Sequence, residues 1–351
     1  MRIMITGGAG FIGSAVVRLV LGETSHDVLV FDKFTYAASL GGVTRDQPRL
    51  KVVAGDICDA AATRDVLARE KPDAILHLAA ETHVDRSIDA PAAFVRTNIV
   101  GTHVLLEQAA SYWRSLPPAR AQAFRFHHVS TDEVFGSLGP KGLFAEDTRY
   151  DPRSPYSASK AAADHLVRAW HHTYGLPVLI SNCSNNYGPW QFPEKLIPHL
   201  VICALAGKTL PLYGRGENVR DWLHVEDHAR ALLAILERGR AGQSYNVGAR
   251  CERSNIDVAR GVCAILDELH PRADGKTHAH AIAFVADRPG HDLRYAIDPS
   301  RIESELGWRP QESFESGLRR TVAWYAQNRA WCEEIARKGY DGARLGLGVG
   351  A

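Results

Sequence analysis

The stretch Thr6-Gly7-Gly8-Ala9-Gly10-Phe11-Ile12-Gly13 decides the fold. It lies directly between a short apolar run, Ile3 to Thr6, and a helical pattern near 12–21. Its glycines fall at Gly7, Gly10 and Gly13, a G-x-x-G-x-x-G spacing. Glycine permits a tight turn and lets backbone approach a pyrophosphate. The following helix then offers free N–H groups and the positive end of its dipole to that anion. An ordinary strand-to-helix turn does not need three glycines at this spacing. The stretch reads as a dinucleotide site in a βα unit.

Outward from it, apolar runs at 27–31, 50–54, 74–78, 124–129 and 178–182 read as further strands. Several are apolar throughout, as expected when both faces of a parallel sheet are covered. Helical patterns near 60–70, 91–113 and 156–174 alternate with them, which predicts an α/β fold with a doubly wound, Rossmann-type parallel sheet. After about residue 185 prolines 189, 193, 198 and 211 break the pattern, with helices expected near 225–238, 254–269 and 313–328. The reading is an NAD-binding lobe over 1–184 and a smaller mixed α/β substrate lobe over 185–341. The chain is expected to cross between lobes more than once, and 342–351 to be a flexible, Gly-rich tail.

The chain has 351 residues and a net charge of +1, which gives no electrostatic argument for nucleic acid. No stretch is long and apolar enough to span a membrane. A strand begins at once with no signal-like segment before it, so a cytoplasmic enzyme is expected. The six cysteines form no Cys-x-x-Cys pair and read as buried free thiols. The His-rich pairs 127–128, 171–172 and 278/280 lack matching ligands at zinc spacing, so no metal is expected.

Asp32 ends the second strand about 20 residues past the glycines, where a carboxylate accepts from both ribose hydroxyls and repels a 2′-phosphate. That favours NAD over NADP, with Lys33 the one nearby feature against it. Asp56-Ile57, after the third strand, suits the adenine, though Asp56 reads equally as a helix N-cap beside Asp59. Leu78-Ala79-Ala80 supplies small residues after the fourth strand.

Tyr156 and Lys160, four apart at the start of a helix, project from one face. Phenol titrates near 10, so a nearby ammonium is expected to lower Tyr156 and make it a base for a sugar hydroxyl. Ser130-Thr131-Asp132-Glu133 ends the fifth strand, the sheet edge where ligands bind. Thr131 suits the oxygen being oxidised. Dehydrogenation needs nothing more, and two extra acids suit a second task, loss of water: Glu133 as base on the carbon beside a ketone, Asp132 as acid on the departing hydroxyl. Adjacent carboxylates in a dry pocket push each other's pKa values apart.

With these residues assembled, the chain resembles the extended short-chain dehydrogenase/reductase family, and within it the dTDP-glucose 4,6-dehydratases. The resemblance runs from residue 1 to about 328. It rests on Gly-Gly-Ala-Gly-Phe-Ile-Gly at 7–13, His83-Val84-Asp85-Arg86-Ser87-Ile88, Ser130 to Gly136 and Tyr156 to Lys160. Asn185 to Pro189, Gln191 to Pro198 and Asp287 to Asp292 extend it. Thr131-Asp132-Glu133 is the discriminating piece, because related epimerases lack the paired acids. Phe135 and Trp190 stand where the family often has Tyr.

The resemblance implies that NAD is tightly bound and regenerated each turnover, that the substrate is the nucleotide sugar dTDP-glucose, and that Tyr156 acts at C4, Glu133 at C5 and Asp132 at C6. It implies that Phe11, Ile12, Asp32, Lys33, Phe34, Thr35, Asp56, Ile57, Ala79, Ala80, Thr82, Thr97 and Asn186 line the NAD site. His83 or Ser87, Asn185, Lys195, Leu196, Pro211, Tyr213, Arg220, Asn255, Arg288 and His291 would face the sugar nucleotide. Arg220 and Arg288 suit a diphosphate, although an ion pair of Arg220 with Asp221 is the commoner fate of such a residue. Tyr213 suits the nucleobase or the core. The resemblance also implies a homodimer through helices 91–113 and 156–174, with Ala161, Leu166, Ala169 and Trp170 on the surface concerned. The alternatives are a dehydratase acting on UDP-glucose or another nucleotide sugar, a UDP-sugar 4-epimerase, or an NAD-binding scaffold without catalysis.

Overall fold

A computed structural model describes residues 1–337. Seven strands make one parallel sheet: β1 (Arg2–Thr6), β2 (Asp27–Asp32), β3 (Leu50–Ala54), β4 (Ala74–His77), β5 (Arg125–Thr131), β6 (Val178–Cys183), and a later segment, Ser244–Val247. From one edge to the other the order is Ser244–Val247, β6, β5, β4, β1, β2, β3. The chain therefore winds from β1 through β2 to β3 in one direction. It then restarts at β4 on the other side of β1 and winds the opposite way. This is a doubly wound Rossmann-type sheet, and its reversal lies between β1 and β4.

The strands form for the reason their sequences give. Ile3, Met4, Ile5, Leu29, Val30, Ile75 and Leu76 are all essentially inaccessible, because helices cover both faces. The Phe11–Glu23 helix buries Val16, Leu19 and Val20 on one face. Beside it packs the Val225–Arg238 helix through Val225, Ala229, Leu232 and Leu236. On the other face Leu105, Leu106 and Ala109 of the Thr102–Arg114 helix join Val167 of the Pro155–Tyr174 helix.

The smaller lobe holds a three-stranded sheet of Asn185–Tyr187, Val219–His224 and Glu252–Ser254, and a pair, Leu210–Tyr213 with Ile282–Val285. Its core centres on Leu200, Val201, Val258, Val262, Leu318 and Val322. The chain leaves the large sheet after β6 and returns to it through 225–247, so each lobe is assembled from more than one stretch. Tail positions 342–351 lie outside the described residues. All six cysteines are free thiols. Among the described residues no helix is long and apolar enough to cross a membrane.

The helix expected over 91–113 is broken in its middle. An α turn at Pro91–Phe94 passes into a π-helical stretch, Val95–Gly101, before α-helix resumes. At the centre of that stretch Asn98 is buried. Its amide oxygen accepts from the Glu81 N–H (2.8 Å), and its NH2 donates to the Glu81 carbonyl (3.0 Å) and to Ser159 Oγ (2.9 Å). The wider turns place one polar side chain where it ties the loop after β4 to the helix that carries Tyr156.

Candidate active site

At the β1/β4 reversal the glycines do what their spacing requires. Gly7 has φ +69°, and a Cβ on it would lie 2.6 Å from the Ala79 backbone nitrogen. A Cβ on Gly13 would run into the Gly7 carbonyl. Gly10 caps the Phe11–Glu23 helix without a side-chain acceptor, so the first-turn N–H groups are free for an anion. Asp32 is fixed at the rim: one carboxylate oxygen accepts from the Ala9 N–H (2.9 Å), the other from the Phe34 N–H (2.7 Å). Burial pushes its pKa up, and these two donors oppose the rise. Phe34 itself stands at φ +54° with the Arg45 guanidinium over its ring.

Lys33 is ion-paired to Asp56 at 2.8 Å, so its charge is answered and does not recruit a 2′-phosphate. Asp56 is not the N-cap of the next helix. Asp59 is, accepting from the Ala62 N–H at 3.0 Å. Phe11, Ile12, Thr35, Ile57, Ala79, Ala80, Thr82 and Thr97 line one continuous cleft with the glycines. Asn186 lines it too, its amide fixed by the Ser184 carbonyl and by His228. A cradle that a single methyl would fill, free helix N–H groups and a ribose-height carboxylate fit a dinucleotide.

The same cleft runs on to Thr131, Asp132, Glu133, Tyr156 and Lys160. Thr131 ends β5, and its hydroxyl accepts from the Glu133 N–H (3.2 Å), which turns the chain into a short 3-10 helix over Asp132–Phe135. Asp132 is 1 % exposed and its Oδ2 has no hydrogen-bond partner. Burial pushes its pKa well above the carboxylate range, reinforced by the charges of Glu133 and Asp221. Burial also raises Glu133, but the cations Arg288, Arg220 and Lys195 pull it back down. Both acids are thus raised by burial, but unequally: cations oppose the rise at Glu133, whereas neighbouring carboxylates add to it at Asp132.

Tyr156 lies against Thr131 and the paired acids. Burial, then the charge of Glu133, push its phenol well above 10, and a hydrogen bond with Thr131 opposes them. Lys160 Nζ donates to the Val129 carbonyl (2.8 Å) and lies 3.3 Å from His128 Nε2, so the ammonium is anchored to β5.

Comparison with known proteins follows this geometry. The family model described as GDP-mannose 4,6 dehydratase matches residues 4–321. A dTDP-glucose 4,6-dehydratase of Escherichia coli is 54% identical over 360 residues, covering 99% of each chain. The chain belongs to the family of dTDP-glucose 4,6-dehydratases. Two solved members superpose closely. The Bacillus anthracis enzyme in complex with NAD has a TM-score of 0.84 at 42% identity, covering 95% of this chain and 99% of that one. The Streptomyces venezuelae enzyme DesIV, also with NAD bound, has a TM-score of 0.85 at 47% identity, covering 95% and 100%.

Of the residues expected from the sequence to face the sugar nucleotide, Asn185 and Lys195 line the cleft directly. Lys195 Nζ donates to the Thr82 carbonyl across the lobes (3.1 Å). His83 caps the Val84–Asp89 helix, and burial chiefly lowers its pKa to about 3, so it is neutral. Ser87 is fully buried, its hydroxyl donating back to the Val84 carbonyl. Leu196 and Asn255 each begin a helix, half-buried, and Pro211 sits in the Leu210–Tyr213 strand. His291 is held by Asp287 (2.6 Å) with its ring 6.1 Å from that of Tyr213.

The expected Arg220–Asp221 ion pair does not form, because neighbours on a strand point to opposite faces. Asp221 accepts instead from the Ala249 and Cys251 N–H groups (3.0 and 2.7 Å). Arg220 stacks on Tyr295, 4.1 Å from its centroid, and donates to the carbonyls of Val219 (2.7 Å) and Asp292 (2.9 Å). Several of its donors are thus spent on backbone, and it serves as a fixed charge behind the acids. Arg288 remains better placed for a phosphate. It pairs with Asp85 at 2.6 Å through one nitrogen while its Nε is buried without a partner.

Two residues whose roles sequence reading missed organise this side. Asp85 holds both Arg288 and the Tyr213 hydroxyl (2.8 Å), so one carboxylate fixes two groups of the small lobe against the large one. Arg86 pairs with Glu194 at 2.9 Å and lies 4.2 Å over the Tyr36 ring, another link between lobes. Their place inside motifs was visible, but partners 203 and 108 residues away were not. Replacing Asp85 with Ala should strand a buried guanidinium, at a cost of about 3 kcal/mol. The KM for the sugar nucleotide should rise more than kcat falls, read by steady-state kinetics beside a thermal melt.

Proposed function

We propose that this protein removes water from dTDP-glucose to give the 4-keto-6-deoxy sugar nucleotide, as a hydro-lyase using tightly bound NAD. The single observation that carries this is the pair Asp132–Glu133, set beside Tyr156 in a cleft of dinucleotide shape and given unequal electrostatic surroundings. NAD, when bound, supplies the acceptor for the C4 hydride and the donor that returns it to C6. The chain's own residues move the protons. Tyr156, hydrogen-bonded to Thr131, takes the proton of the C4 hydroxyl. With C4 a ketone, the C5 proton becomes acidic and Glu133 removes it, and C5 is reprotonated once hydride has reached C6. Asp132, held protonated, donates to the C6 hydroxyl as water leaves. Asp32 favours NAD, and Arg288 takes the diphosphate.

Incubation with dTDP-glucose and UDP-glucose separately, without reductant, tests this by product mass. Loss of one water from the dTDP sugar is expected. An isomer of unchanged mass would indicate a 4-epimerase, and faster turnover of the UDP sugar would replace the substrate. No turnover of either would leave a binding scaffold.

We infer also a cytoplasmic homodimer. Val95 and Val100 on the π-helical stretch and Tyr174 on the Pro155–Tyr174 helix are 49, 46 and 46% exposed. They lie near Ala169, also exposed, and Trp170, whose ring meets those of His103 and Tyr174. Ala161 is buried within the chain beside Val134 and Phe135, and Leu166 packs against the core, so these two are not part of that surface.

A further inference from the structure

Behind the catalytic residues lies a buried polar cluster that the proposed chemistry does not use. Asp164 stands one helical turn after Lys160 on the same helix and is completely inaccessible. Its Oδ2 accepts from the Ser130 hydroxyl (2.9 Å), the Tyr150 hydroxyl (2.8 Å) and the Asn182 amide (3.5 Å). Its Oδ1 lies 3.2 Å from His128 Nε2, and that same nitrogen lies 3.3 Å from Lys160 Nζ. His128 thus bridges the carboxylate and the ammonium.

The geometry points to Asp164 and His128 as positioning residues for Lys160: a buried counter-charge that keeps the ammonium protonated and in place, and so sets the pH range over which Tyr156 works. This rests on the reading of Tyr156 and Lys160 given above.

The electrostatics are spare enough to follow. Burial alone disfavours a charged lysine, and Lys160 falls to about 8, with Asp164 the main group opposing the fall. Burial would raise Asp164 as well, yet His128, Lys160 and Ser130 bring it below the usual carboxylate value. His128 is neutral, lowered to about 4 by burial and then by Lys160. With its proton on Nε2 the ring donates to Asp164; with it on Nδ1 the ring accepts from Lys160. The other elements packed here add little charge. His77 on β4, 5.1 Å away ring to ring, is bonded to Thr6 and Thr102 and pushed well below its ordinary value by burial. Cys183 on β6 is a neutral thiol, raised to about 12 by burial. Arg168 reaches the cluster through the Tyr150 hydroxyl, to which it donates at 3.1 Å. Lys160 and Asp164 are therefore opposed charges linked through His128, with the Arg168 guanidinium one hydroxyl further out.

The sign of the pH effect follows. A lysine contributes its charge below its pKa and loses it as pH rises through that value. Replacing Asp164 with Asn removes the counter-charge, lowers the Lys160 pKa, and moves the alkaline limb of kcat to lower pH. The expected shift is about one pH unit or more, with KM for the sugar nucleotide changed by less than about twofold and much of kcat recovered near pH 6.5. His128→Asn should shift the limb in the same direction by less, and carries the same test if Asp164→Asn is insoluble. An alkaline limb that stays in place, or a kcat reduced by one factor at every pH, would overturn the inference and leave a packing role. The wild type is measured in parallel: an active wild type with unshifted variants removes this inference alone, whereas a wild type that dehydrates neither sugar removes the proposed function.

Discussion

Glu133→Gln should lower dehydration of dTDP-glucose by roughly 10²–10⁴-fold, the usual worth of a positioned general base. The substitution keeps size and hydrogen bonding and removes basicity. C4 oxidation needs Tyr156 and not Glu133, so the variant should still reduce its cofactor in part, visible as reduced-cofactor absorbance that builds up rather than cycling. The surroundings give the reason the loss should be large. Arg288, Arg220 and Lys195 all lower the Glu133 pKa against its burial, whereas Asp132, its neighbour, is pushed well above the ordinary range. Single-turnover mass analysis beside the absorbance trace decides it. Full-rate dehydration in the variant would move the base elsewhere, and loss of both signals would place Glu133 in binding.

Gly7→Ala should strip the protein of NAD. The residue sits at φ +69°, where a side chain costs about 1–2 kcal/mol. The added carbon would also lie 2.6 Å from the Ala79 nitrogen and 2.7 Å from its Cα, both backbone atoms that cannot rotate aside. Relief requires β1 and the loop after β4 to part, and that gap is the cradle itself. Cofactor content after gel filtration should fall by about tenfold or more, since each 1.4 kcal/mol is a factor of ten. Added NAD should raise the melting temperature of the wild type and do little for the variant. Undiminished cofactor content would show that the turn yields without disturbing the site.

Much of this site could be read from local sequence because its parts are short and contiguous. Three glycines, a carboxylate ending the next strand and four residues ending β5 each lie within one βα unit, and the unit's geometry is fixed by backbone sterics. The places where reading fell short are long-range. Ser244–Val247 is a four-residue stretch whose alternation says nothing about which sheet it joins, and it pairs with β6 more than 60 residues earlier. Asp56 read equally as an adenine neighbour or a helix N-cap, and only the fold shows it paired with Lys33 while Asp59 caps the helix. Arg220 read as a diphosphate ligand or a partner of Asp221, and only the fold shows it stacked on Tyr295 and bonded to the carbonyls of Val219 and Asp292.

By itself, then, the sequence determined which residues could bear charge, turn sharply or carry a proton, and in what order they meet the carboxyl edge of a parallel sheet. Only the tertiary structure decided their states. The difference between Asp132 and Glu133 is set by the cations near Glu133, and those come from positions 195, 220 and 288. Tyr156 and Lys160 are separated by one helical turn in any helix, but burial raises the first and lowers the second, and Asp164 answers the second. Desolvation and Coulomb terms depend on what the chain folds around a group, which is why the chemistry was legible in sequence and its tuning was not.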